Sequence, residues 1–327
     1  YVRIGDIDGG SFDWGEDHDF VDNALVTAGN GEDYAEVAVE GRAHVDLQGD
    51  GNKYVDVIAK GWSFGGDDFL PDLAPDTAIR VDTGTGNDWV WAATDSSDDN
   101  VEIDTRGGDD RVTITRVEGD AFVKTGGNDD VLVTGYRGVM EDDVLNGGKS
   151  WDLLLAGNRE ENGLNVLDDS NFAGVTNFEA IGVRDFFDAG TVDYNAADNV
   201  ANDAGMLQYI IGEDSGGISS SYDMEQMADN VMIDIHVSGN FIDEFNVELE
   251  DGADDKELNI NFIADNWSTT FFQDVLIEGT ETLNITLTGE DNGEDGSWDT
   301  VVFGEDNNTF EADDLLTDIN LSGDVNY

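Results

Sequence analysis

The chain has no cysteine, and among its 327 residues only 14 are lysine or arginine and three are histidine. With no cysteine, disulfides contribute nothing and the redox compartment cannot be read from them. His18, His44 and His236 are too far apart to suggest a catalytic triad or a zinc motif, and H-E-x-x-H, G-x-S-x-G and P-loop patterns are all missing. No apolar stretch approaches the roughly 18 residues needed to span a bilayer, so membrane insertion is not expected. The chain begins at Tyr1 with neither a methionine nor a basic-then-apolar leader, as expected of a processed or trimmed protein.

What the chain has in excess is acid. Its 75 aspartates and glutamates leave a formal net charge of -61. A compact molecule with that charge repels itself unless cations neutralise it, and nucleic acid and anionic membrane surfaces are poor partners for it. With 39% hydrophobic and 9% aromatic residues, it has enough apolar side chain for packed cores and is not an acidic disordered tail. Calcium loading and life in high salt both account for such acidity. They are not exclusive, and only acids placed inside repeated turns favour the first.

Such turns are present. A glycine opens each of Gly31-Glu32-Asp33-Tyr34-Ala35, Gly51-Asn52-Lys53-Tyr54-Val55, Gly66-Asp67-Asp68-Phe69-Leu70, Gly86-Asn87-Asp88-Trp89-Val90, Gly108-Asp109-Asp110-Arg111-Val112 and Gly127-Asn128-Asp129-Asp130-Val131, and these glycines are spaced 20, 15, 20, 22 and 19 residues apart. One turn-and-strand unit recurring at that pitch predicts a small solenoid. After the turns come alternating runs such as Val55 and Val57, Val112 and Ile114, Val131 and Val133; before them come Val45 and Leu47, Ile79 and Val81, Val101 and Ile103, Ala121 and Val123. Strand, glycine turn and strand make one coil. Glycine lets two backbones approach closely and point carbonyl oxygens inward, and calcium takes six to eight such oxygens mixed with carboxylates. Gly-Asn-Asp clusters also serve as plain tight turns; their recurrence in near-register favours the cation reading. Lys53 in place of an acid, and the displaced acid of Gly147-Gly148-Lys149-Ser150-Trp151-Asp152, predict two turns that bind weakly or not at all.

Thr83-Gly84-Thr85-Gly86-Asn87-Asp88, Thr105-Arg106-Gly107-Gly108-Asp109-Asp110 and Thr125-Gly126-Gly127-Asn128-Asp129 resemble the calcium-binding nonapeptide of the repeats-in-toxin family, over roughly residues 28 to 157. The family turn recurs every nine residues, whereas here it comes once per coil of about twenty. The resemblance therefore implies calcium turns along one edge of a β-roll. The ligands it implies are Asp33, Asp68, Gly84, Gly86, Asp88, Gly107, Asp109, Asp110, Gly126, Asn128 and Asp129.

Beyond residue 160 the glycine turns stop. Residues 161–230 read as a cap or connector, with Val175 to Ile181 as a last strand and short helices around Asn199 to Ile211 and Asp223 to Asn230; a solenoid end needs such a cap. From 231 to 327, alternating strands are expected at Val231 to Val237, Phe245 to Leu249, Leu258 to Ile263, Thr282 to Thr288, Thr300 to Phe303 and Thr317 to Leu321. The run Lys256 to Asp265, followed by Leu276-Ile277-Glu278-Gly279-Thr280-Glu281-Thr282, resembles the Calx-β domain, which implies an immunoglobulin-like β-sandwich with Asp265, Glu278 and Glu281 as calcium ligands. Sequons stand at Asn266, Asn284, Asn307 and Asn320.

The expectation is thus an all-β protein, solenoid over 1–160 and sandwich over 231–327, binding Ca2+ outside the cell where calcium is plentiful. A non-enzymatic structural subunit of a surface layer or filament, self-associating into a polymer or lattice, fits best. Two alternatives stay open: an adhesin that binds a receptor or glycan, and a polysaccharide-acting β-helix enzyme with Trp89, Trp91 and Trp151 along its groove.

Overall fold

The computed structural model describes residues 2–4, 22–59, 77–94, 99–115, 117, 119–135, 138–157, 165–167, 169–184, 192–195, 208–211, 219–227, 232–237, 241–249, 257–264, 269–289, 300–303, 310–312 and 316–323. They fall into two compact units, one of Tyr1–Leu154 with Gly174–Phe178, the other of Leu155–Ala173 with Glu179–Tyr327. Both are built of parallel β-strands.

In the first unit the strands are β1 (Val2–Ile4), β2 (Ala24–Thr27), β3 (Asp33–Val39), β4 (Ala43–Asp46), β5 (Lys53–Ala59), β6 (Thr77–Asp82), β7 (Trp89–Thr94), β8 (Asn100–Asp104), β9 (Arg111–Thr115), β10 (Ala121–Lys124), β11 (Val131–Val133) and β12 (Val144–Asn146). The odd-numbered strands follow one another in one parallel sheet; the even-numbered ones, ending on Val175–Thr176, form a second. Two strands and two turns make each coil, so like residues of successive coils lie in columns about 4.8 Å apart. Ala35, Val55, Val90 and Val112 stack in one inward column, and Val26, Val45, Val81, Ile103, Val123 and Leu145 in another, all buried. Period-two alternation puts these residues inside, and each valine, isoleucine or leucine among them contributes about 1.5–3 kcal/mol by leaving water.

Strand β5 pairs directly with both β3 and β7, and β4 with both β2 and β6. The expected turn Gly66-Asp67-Asp68-Phe69-Leu70, with Asp68, lies outside the described residues. A turn at 147–152 continues the stack.

In the second unit, strands Ala180–Arg184, Gln208–Ile211, Met232–Val237, Glu257–Ala264, Thr282–Gly289 and Asp318–Gly323 pair in that order, all parallel. A second parallel sheet runs Asn165–Leu167, Val192–Asn195, Ser219–Met227, Phe241–Leu249, Thr269–Glu278 and Thr300–Phe303. The immunoglobulin-like sandwich expected over 231–327 is corrected here, because that fold needs antiparallel pairs and these strands are parallel. Paired positions such as Glu257 and Thr282, or Thr282 and Asp318, are 25 and 36 residues apart, the length of a further coil and not of a hairpin. The expected helices give way to strands Gln208–Ile211 and Ser219–Met227. An asparagine ladder binds three coils: Asn320 donates to Asn284 and Asn284 to Asn259, each at 2.9 Å. The sequon amides of Asn284 and Asn320 are thereby engaged in the stack; Asn266 and Asn307 lie outside the described residues.

Candidate cation column

Six turns link the second sheet of the first unit to its first: 28–33, 47–53, 83–88, 105–110, 125–130 and 147–152, here turns 1 to 6. The pairing of Asp46, Asp82, Asp104, Lys124 and Asn146 before them and of Tyr54, Trp89, Arg111 and Val131 after them fixes their alignment. Turns 3 to 5 share a threonine at the first position and an aspartate at the sixth. Turn glycines stack where side chains would not fit: Gly108, at φ 131°, lies against the carbonyl of Gly86, and Gly126, at φ 107°, against that of Arg106. Asn128 takes the left-handed conformation of the fourth position at φ 79°, which asparagine tolerates better than most residues.

Two side-chain ladders run through the turns. The outer one is exposed: Asn87 N–H donates to Asn52 Oδ1 at 3.0 Å, Asp109 N–H to Asn87 Oδ1 at 3.0 Å, and Asp129 N–H to Asp109 Oδ1 at 3.4 Å. The inner one runs the other way. Lys53 N–H donates to Asp88 Oδ1 at 2.7 Å, Asp88 N–H to Asp110 Oδ1 at 2.8 Å, Asp110 N–H to Asp130 Oδ1 at 2.8 Å, and Asp130 N–H to Asp152 Oδ1 at 2.9 Å. Asp88, Asp110, Asp130 and Asp152 are all 2% exposed or less.

The second oxygen of each inner carboxyl is what singles out this column. Oδ2 of Asp88, Asp110 and Asp130 is buried and makes no hydrogen bond of good geometry. The hydroxyls of Thr83, Thr105 and Thr125 stand beside these carboxyls and offset part of the effect of burial, while lying 3.3, 2.9 and 2.6 Å from the carbonyls of Thr105, Thr125 and Gly147, to which they donate. Stacked carboxylates about 5 Å apart repel by roughly 3 kcal/mol per pair at an effective dielectric constant near 20. Burial, with help from the neighbouring aspartates, pushes Asp110 up to about 8 and Asp130 up to about 7, and burial raises Asp88 as well. A proton or a cation relieves each site.

In turn 1 a cation is already there. The Lys53 ammonium, fully buried, donates to the carbonyls of Gly29 at 3.1 Å and Gly31, and to Asp33 Oδ2 at 3.0 Å. The same second, fourth and sixth positions are Gly84, Gly86 and Asp88 in turn 3, Arg106, Gly108 and Asp110 in turn 4, and Gly126, Asn128 and Asp130 in turn 5. Two carbonyls and a buried carboxyl oxygen suit calcium, a hard cation that takes oxygen ligands. Among the described residues no three His, Cys, Asp or Glu side chains converge as a metal cluster; the donors here are mainly backbone.

Of the expected ligands, Asp88 and Asp110 stand in the inner column, and Gly84, Gly86, Gly126 and Asn128 hold the turn positions whose counterparts in turn 1, Gly29 and Gly31, accept from Lys53. Asp109 and Asp129 lie in the exposed ladder and Gly107 at the third position, where its carbonyl accepts from Gly86 N–H at 2.8 Å. Asp130 and Asp152 join the inner column, and Lys53 fills a site as a cation. In the second unit Glu278 ends a strand, and the carbonyl of Glu281 accepts from Thr317 and Asp318 N–H at 3.0 and 3.2 Å; Asp265 lies outside the described residues. Comparison with family models, curated proteins and solved structures finds no match for this chain.

A pH prediction follows from the raised carboxyls. In chelator, the stability that protonated Asp110 and Asp130 contribute is fully present below about pH 4 and is lost as pH rises through about 7 to 8, at about 1.4 kcal/mol per pH unit per carboxyl. A cation bound by these oxygens would need the carboxylate form and would reverse the trend. Urea melts of wild type and an Asp110→Asn, Asp130→Asn double variant from pH 4 to 9 isolate the effect; parallel curves in chelator would contradict it.

Proposed function

We propose that this chain is a secreted, non-enzymatic calcium-binding structural protein, a subunit of an extracellular surface layer or filament whose folding and assembly depend on calcium. The column of buried carboxyl oxygens that lack a hydrogen bond of good geometry, in register with the Lys53 ammonium, carries the calcium part of this reading. Edges support assembly. Among the described strands, β1 pairs only with β3 and Asp318–Gly323 only with Thr282–Gly289, and the latter leaves Ile319 and Leu321 53% and 66% exposed. Open edges of this kind template pairing with another chain, while the net charge of -61 keeps copies apart until cations bind. Light scattering and electron microscopy during a calcium titration should show ordered polymers, and deletion of 315–327 should weaken them. A protein that stays monomeric at millimolar calcium would overturn the assembly reading.

One observation favours the glycan-binding adhesin as a second reading. Tyr34, Tyr54 and Trp89 form one outward column, Tyr54 and Trp89 being 43% and 50% exposed. The Tyr34 hydroxyl donates to Asp56 at 3.0 Å, and the Arg111 guanidinium lies 5.7 Å from the centre of the Trp89 ring. Trp91 is two residues along the same strand, whereas Trp151 belongs to turn 6. Aromatic faces beside a carboxylate suit sugar rings. Co-sedimentation with insoluble polysaccharides that Trp89→Ala reduces at least tenfold would support this reading; no sedimentation with any of them would remove it.

A further inference from the structure

We infer that Lys53 is a tethered resident cation: its ammonium permanently fills in turn 1 the position that calcium takes in turns 3 to 5, so the first turn is independent of metal. This inference rests on the calcium reading of those later turns and adds a division of labour within the column. The lysine backbone occupies the same inner position as Asp88, Asp110 and Asp130, because Asp33 pairs with Lys53 across β3 and β5, and Lys53 N–H donates to Asp88 Oδ1. Its side chain turns back into the preceding coil and reaches both glycine carbonyls and the Asp33 carboxyl. A fully buried lysine is retained in a fold only when paired and hydrogen-bonded, and all three ammonium protons have a partner here. Asp33 Oδ2 is accordingly satisfied, whereas the corresponding oxygens of Asp88, Asp110 and Asp130 are not.

Two consequences follow from one charged side chain. At turn 1 a cation costs no binding entropy and cannot be removed by chelation. At turn 3 the Lys53 amide anchors Asp88, so the metal-dependent stack starts on a coil already closed without metal.

Replacing the ammonium should turn a metal-free turn into a metal site. In Lys53→Asn the short side chain leaves the carbonyls of Gly29 and Gly31 and Asp33 Oδ2 facing a space without a cation. Calorimetric titration of full-length wild type and Lys53→Asn with calcium, alongside urea melts in calcium and in chelator, tests this. The variant should bind one calcium more per chain than wild type, and its loss of stability in chelator should be largely recovered in millimolar calcium. Lys53→Met, which keeps the length of the side chain and blocks the space, should lose the same stability and recover none of it. Wild type binding calcium while Lys53→Asn binds no additional ion and shows no recovery would overturn the role of Lys53 alone. Absence of calcium binding by wild type would overturn the calcium reading beneath it. If the variant fails to fold in chelator, the comparison of Lys53→Asn with Lys53→Met in calcium still decides.

Discussion

Excess chelator at low salt is expected to unfold the coils between β2 and β12. Three sites, each at a hundred times its Kd, stabilise by about 2.7 kcal/mol apiece, together about 8 kcal/mol. That is comparable with the whole stability of an ordinary domain, about 5 to 15 kcal/mol. Above pH 8 the loss is compounded, because the metal-free inner carboxyls then ionise and repel one another. Circular dichroism and calorimetry in calcium and in chelator at pH 8.5 check it. Unchanged spectra and melting temperature would mean that the acids are a high-salt surface and that the inner column holds together without cations.

The second large effect is a change of sign. At pH 9 in chelator, Asp110→Asn removes one ionised carboxyl from the middle of the column and keeps an oxygen that accepts the Asp88 N–H. The variant should therefore be more stable than wild type by about 3 kcal/mol, roughly 6 to 12 °C in melting temperature. In millimolar calcium it should be less stable, having lost a charged ligand. Asp129→Asn, on the exposed ladder, should change stability by less than about 0.5 kcal/mol in both conditions. If Asp110→Asn and Asp129→Asn behave alike, the inner and outer columns have no separate roles.

The contrast between these two residues shows where the sequence was readable. Solenoid coils and about half of the later strands are visible in the glycine spacing and period-two alternation, whereas Gln208–Ile211 and Ser219–Met227 read as helices and Asn165–Leu167 and Val192–Asn195 are not marked by either signal. Which acid faces inward is not visible from the glycines, because the turns open variously on Gly-Asn-Asp, Gly-Asp-Asp and Gly-Asn-Asp-Asp. Counting back from the strand resolves it. The residue two before the inward valine-and-leucine column of the first sheet is Asp88 before Val90, Asp110 before Val112 and Asp130 before Leu132. The same count gives Lys53 before Val55, so its apparent loss of an acid is the arrival of a cation in an aspartate column. Parallel pairing in the second unit was hidden for a different reason: half-buried strands alternate in the same way in a sandwich and in a solenoid, and only the partners differ. Thr269–Glu278 was missed as a full strand because its polar start, Thr269-Thr270, precedes the apolar run.

The most direct test of the cation column is diffraction from crystals grown in calcium, with anomalous difference density examined in every turn. Peaks are predicted about 2.3–2.6 Å from Oδ2 of Asp88, Asp110 and Asp130, with no peak in turn 1, where the Lys53 ammonium lies. An inner column free of density, its carboxyl oxygens bonded only to the threonine hydroxyls beside them, would contradict the account.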